Sequence, residues 1–125
     1  MPKTAPLSNA DRSASRQSAQ TSPALMTAFL KEHLGPKLLA FTVGTTSRTL
    51  GNWISGVPPR LDHERRLRAC YQVFRVLESV EQAPTIRAWF MGMNPQLSDQ
   101  SPAEALLGDR YQEVMTAARA FVAGG

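Results

Sequence analysis

Cysteine is nearly missing from this sequence. Cys70 is the single one among 125 residues, so an internal disulfide framework and a multi-cysteine zinc site are both excluded, as a reducing compartment would lead one to expect. Histidine is scarce as well: His33 and His63 leave a metal site almost without ligands. No cofactor is expected. No apolar run approaches the roughly 20 residues of a membrane span, and no shorter one stands behind a basic start as a secretory signal would. The expected location is therefore the cytoplasm, with no membrane contact. Aromatic residues make up 7% and charged residues 19%, while apolar residues reach 42%, near the globular average. That is material for one small core or a little more, and it rules out most large enzyme folds.

Catalytic signatures are missing too. No glycine-rich phosphate loop follows a strand, and neither HExxH nor CxxC occurs. The acidic residues of the C-terminal part stand at helix-cap positions, which explains them structurally. His33 lies near a helix end, as a C-terminal cap or surface residue would, and His63 falls in a helix's first turn. The chain is not expected to be an enzyme.

Charge, in contrast, is unevenly spread. The net charge of +4 divides into +6 over residues 1–80 and −2 over residues 81–125. A basic front half suits a polyanion such as nucleic acid, and an acidic, apolar-rich end suits a protein partner.

Helix signals recur along the chain and strand signals do not. Residues 1–22 hold almost no large apolar side chains, so they read as a disordered tail. Ser22-Pro23 then supplies an N-cap and a first-turn proline for a helix with Ala24, Leu25, Ala28 and Phe29 on its apolar face. Pro36 to about Val43 and about Ser47 to Ser55 form two short helices, stopped at Gly44 and Gly56. The longest helix is capped by Asp62 and reaches about Val80, with Leu67, Cys70, Tyr71, Phe74 and Leu77 as its inner stripe. Pro84 opens a segment with Ile86, Trp89 and Phe90. Ser101-Pro102-Ala103-Glu104 has both partners of a capping box, and its helix stops at Gly108. Asp109 and Gln112 then cap a final helix bearing Tyr111, Val114, Ala118 and Phe121. Seven helices and no strand are expected, an all-α fold.

The stretch Pro36 to Ser55, PKLLAFTVGTTSRTLGNWIS, meets the requirements of a helix-turn-helix. Ala40 is small enough for two helices to approach. Gly44 can take the positive φ of a sharp turn. Leu50, Trp53 and Ile54 point inward, with Leu39 and Val43 as partners. Ser47, Arg48 and Asn52 then lie on the opposite face of the second helix. Arg can bond guanine O6 and N7, Asn can bond adenine N6 and N7, and Ser is a permissive partner, so these three are the candidate base readers. Lys37, Thr45, Thr46 and Arg60 are the candidate phosphate contacts. Gly51 inside the reading helix serves either a close backbone approach or no purpose beyond being tolerated. Trp89 fits the core better than a binding surface, Met91-Gly92-Met93 fits a loop or gap filler, and Tyr111 fits either role.

VGTTSRTLGNWISG resembles the helix-turn-helix of phage-repressor-like, Xre-type regulators. The part with Trp89, Asn94-Pro95, Leu97, Ser101 to Leu107, Gly108, Tyr111 and Val114 is similar to the C-terminal domain of Xre/MbcA/ParS antitoxins. The resemblance covers about residues 24–123. It implies a helix-turn-helix and dimerisation unit over residues 23–80 and a toxin-binding domain over 81–125. It further implies a type II antitoxin that binds operator DNA to autoregulate its operon. Its partner would be a cognate RES-domain toxin acting on NAD, whose active site the antitoxin covers. A homodimer, and a higher hetero-oligomer with the toxin, are implied too. Carried over by position, the toxin-facing residues would be Tyr111, Arg119, Phe121 and Val122. Two other functions compete: a stand-alone transcriptional repressor whose C-terminal helices only oligomerise, and a structural interaction module without operator preference.

Overall fold

The computed structural model describes residues 9–124. Among them are eight α-helices, one 3-10 turn and no strand. The helices are α1 (Asn9–Gln20), α2 (Pro23–Leu34), α3 (Pro36–Val43), α4 (Ser47–Ile54), α5 (Leu61–Leu77), α6 (Ala83–Met91), α7 (Pro102–Leu107) and α8 (Tyr111–Val122). The 3-10 turn, Pro95–Leu97, buries Leu97 between α6 and α7 in the chain.

α5 is the centre of the arrangement, lying against α1, α2, α3, α7 and α8. Its expected stripe is buried, and Val73 and Val76 join it. Each large apolar side chain fully removed from water contributes about 1.5–3 kcal/mol, which is why the helix with the most such positions becomes the hub. Cys70 lies in this stripe.

The terminators follow the backbone chemistry, with two corrections. Ser22 caps α2 by accepting from Leu25 N at 3.2 Å. Ser101 and Glu104 form the reciprocal capping box, both bonds 3.0 Å long. α3 ends at Gly44 with φ +83°, where Thr45 N donates to Ala40 O and Gly44 N to Phe41 O; a left-handed residue closes the helix there, as glycine does at least cost. α7 ends in the same pair of bonds, from Arg110 N to Ala105 O and from Asp109 N to Leu106 O. The left-handed residue there is Asp109 at φ +64° and not Gly108. Asp109 is therefore part of the stop and not the cap of α8, and α5 begins after Arg60 with Asp62 inside its first turn.

Two expectations fail. The tail of residues 1–22 includes a helix: its first eight residues lie outside the described ones, but α1 packs along α5. It does so with small side chains, burying Asp11, Ala14 and Ser18. Arg68 donates to the Ser18 carbonyl, and Arg119 Nε to Asp11 Oδ1 at 2.9 Å. A search for large apolar residues passes over such a face. α2 buries Met26, Thr27, Leu30 and Leu34, leaving Leu25 64% exposed, because the expected stripe was taken about half a turn away. One buried cluster takes Leu39, Leu50 and Phe74 from residues 23–80 and Ile86, Leu106 and Val114 from residues 81–125.

Candidate functional site

α4 presents two unlike faces. Leu50 and Trp53 are buried under it, against α2 and α3, while Ser47, Arg48 and Asn52 are exposed, and Ile54, expected inward, is exposed too as the last residue of the helix. The cause is local: Gly44 turns the chain sharply, Thr46 starts α4 by accepting from Thr49 N at 3.1 Å, and the inward pair then fixes the helix's rotation. Arg48 and Asn52 make no side-chain hydrogen bond or ion pair among the described residues. Their donors and acceptors are free to meet a ligand.

The phosphate candidates differ from one another. Lys37 is exposed on the first turn of α3, and Thr45 is half-buried in the turn. The Thr46 hydroxyl is occupied: besides accepting from Thr49 N it donates to Thr49 Oγ1 at 3.1 Å. Arg60 stands just before α5, exposed, 3.4 Å from Asp62 and from His63 Nε2. His63 in turn lies 5.5 Å from the Trp53 ring. The loop from α4 to α5 is thus tied to the buried side of α4.

Gly51, midway along α4, has nothing within 4 Å of where a Cβ would stand. It is not needed for packing within the chain.

At the C-terminal end, the four candidate partner-facing residues are engaged within the molecule. Tyr111 is half-buried and donates to Asp109 Oδ1 at 2.7 Å. Burial first, and then that bond, pushes its phenol up to about 12. Arg119 holds Asp11 with half of its side chain still exposed. Phe121 and Val122 lean against the core, Phe121 with its ring 6.4 Å from Trp89. Trp89 is itself half-buried, edge-on to the fully buried Phe90. Beside it, Met91 and Met93 are 60% and 81% exposed, so neither fills a gap. Asn94 behaves as a cap, accepting from Gln96 N at 2.9 Å.

One further residue joins the two ends. Arg66 of α5 donates from Nε to Asp109 Oδ1 at 2.9 Å and from Nη1 to the Val43 carbonyl at 3.1 Å. It thereby fixes the last turn of α3 to the turn before α8. The Asp109 carboxyl is held below the usual carboxylate range by Arg66 and, secondly, by Tyr111. Since 43 residues separate Arg66 from Asp109, no local pattern could have paired them. Among the described residues no group of acidic, histidine or cysteine side chains could hold a metal ion, and no helix is long and apolar enough to cross a membrane. No family model, curated protein or solved structure matches the chain.

Proposed function

We propose that this chain is a DNA-binding antitoxin: α4 reads operator bases with Ser47, Arg48 and Asn52, and the C-terminal helices engage a protein toxin. One observation carries the DNA half. After a tight glycine turn, a short helix holds two buried apolar anchors on one side and two unspent base-reading side chains on the other, in the basic part of the chain. Lys37 and Arg60 supply charge for phosphates, and Thr45 and Thr46 stand at the open N-terminus of α4. The toxin half is supported by the acidic charge of residues 81–125 and by their likeness to the Xre/MbcA/ParS C-terminal motif. On that likeness the toxin is a RES-domain enzyme acting on NAD. Tyr111, Arg119, Phe121 and Val122 border the surface that would meet it, and the antitoxin acts as a dimer in the cytoplasm.

A stand-alone repressor is the second reading. It is favoured by α7 and α8 being part of the shared core, since Leu106, Val114 and Ala118 there have work to do without any toxin.

The test of the DNA half is binding to the region upstream of the chain's own gene, by fluorescence anisotropy at fixed salt. Arg48→Ala and Asn52→Ala should each weaken specific binding by about 1–3 kcal/mol with little change in folding stability. Losses within about 0.5 kcal/mol would remove α4 as the reading helix. For the toxin half, the full chain is co-expressed with the product of the adjacent gene. Relief of growth arrest supports the antitoxin, and arrest that the full chain does not relieve favours the repressor. A cut at residue 80 is a poor control, since it divides the core.

A further inference from the structure

The attachment of α1 is unlike that of the other helices. Ala14 is its only buried apolar side chain among the described residues. Polar contacts from beneath add to that hold, among them Arg119 of α8 on Asp11, and Arg68 of α5 on the Ser18 carbonyl and hydroxyl. A cleft of about 380 Å³ remains between α1, α5 and α8, with Ser15, Gln72, Tyr111 and Met115 on its walls. The groove is wider than α1's small side chains fill. Two residues, Thr21 and Ser22, join α1 to α2, and Ser22 caps α2 through Leu25 N, a bond that release of α1 leaves in place.

We infer that the groove between α5 and α8 is a helix-docking site, that α1 is its tethered occupant, and that an acidic amphipathic helix of a protein partner displaces it. Charge favours that occupant: the groove offers Arg119, with Arg68, itself 3.6 Å from Glu64, and the exposed Arg65 beside it on α5, whereas α1 meets them with the single carboxylate of Asp11, its Arg12 and Arg16 lying exposed. Volume favours it too, since any side chain larger than Ser15 gains contact in the cleft. A helix with so little apolar burial opens locally at small cost, while α5 opens only with the whole core. α1 then acts as an autoinhibitory clasp, because it occupies Arg119, one of the residues assigned above to the partner surface. Only the partner's identity rests on that assignment.

The test uses the full chain and a labelled, end-capped acidic peptide with the sequence of residues 9–20 carrying Arg12→Glu, Ser15→Leu and Arg16→Glu. In the chain, Asp11→Lys sets a like charge beside Arg119. Hydrogen exchange of α1 amides should then quicken about tenfold with α5 unchanged, and the peptide should bind about tenfold more tightly than to the wild-type chain. Arg119→Ala added to Asp11→Lys should remove most of that gain. Peptide binding that is equal in wild-type and Asp11→Lys chains overturns the inference, as does α1 exchanging in step with α5 in the wild type. Should Asp11→Lys unfold the chain, seen as faster α5 exchange, Ser15→Leu in the chain decides: it must slow α1 exchange and weaken peptide binding, and faster exchange refutes the clasp. A toxin that fails to bind the chain would remove the antitoxin reading and leave these outcomes as they stand.

Discussion

Alanine at Gly44 and alanine at Gly51 should move the stability of this protein in opposite directions, although both glycines belong to the α3–α4 pair. Gly44 has φ +83°, a conformation that costs an L-residue about 1–2 kcal/mol. A Cβ there would also stand 2.9 Å from Leu107 Cδ1 and 3.0 Å from Arg66 Nη1. Both are ends of flexible side chains that can shift, so this contact adds less than the backbone does, though moving Arg66 strains its bonds to Val43 and Asp109. The total for Gly44→Ala is a loss of roughly 1.5–2.5 kcal/mol. Gly51 has ordinary helical backbone and open space around it. Gly51→Ala removes the entropic penalty of a mid-helix glycine and should gain about 0.5–1 kcal/mol. Urea unfolding followed by circular dichroism should therefore separate the two variants by about 2–3.5 kcal/mol at constant m-value. A neutral Gly44→Ala, or a Gly51→Ala that destabilises by more than about 0.5 kcal/mol, would refute the argument. The same Gly51 variant decides the role left open in the sequence: gained stability with lost operator affinity assigns the glycine to close approach of DNA.

Other consequences can be measured on the same protein. Burial pushes the Cys70 thiol well above its ordinary range; it should resist a thiol reagent such as Ellman's in buffer and react fully in denaturant, and rapid native labelling would contradict the core placement. Ser101→Ala breaks the capping box and should cost about 1 kcal/mol in urea unfolding, a loss that Ser101→Asn or Ser101→Asp largely restores. Acid and alkali should act through one cluster. Asp109 is depressed below 3.8 in the fold, so its contribution is present above that value and disappears as pH falls through the lower folded one. Asp109→Asn should flatten that acid limb, by a modest amount because the carboxylate is about half exposed. Tyr111 is raised from 10.0 to about 12, so its contribution is intact below pH 10 and is lost as pH climbs through 12. Tyr111→Phe should remove the alkaline limb in urea midpoints taken across that range.

What could be read from residue order was what depends on neighbours a few positions away. The Ser22, Gly44 and Ser101 boundaries, the inner stripe of α5, and the two faces of α4 each arise from an interaction within one or two helical turns. α1 escaped because its contact with α5 is made by alanine and serine, and its polar anchors, Arg68 and Arg119, stand 50 and 108 residues from their partners. Gly108 is the C-cap of α7 as expected, but the role of Asp109 was hidden for a similar reason: it takes the left-handed position where Arg66 and Tyr111 hold its carboxylate. α2 was rotated because Thr27, polar by composition, is buried with its hydroxyl bonded to the Pro23 carbonyl at 2.7 Å. Of the candidate site, the α4 face was legible, whereas the internal engagement of Arg119 and Tyr111 was not.

A single interior shared by α3, α4, α7 and α8 also sets how this protein leaves the cell. A protease that waits for an opened chain finds no half that survives the other, because unfolding the C-terminal helices strips the support from α4 in the same event. The two surfaces therefore have one lifetime. A ligand on either of them prolongs the survival of both, in proportion to how far its concentration exceeds its dissociation constant.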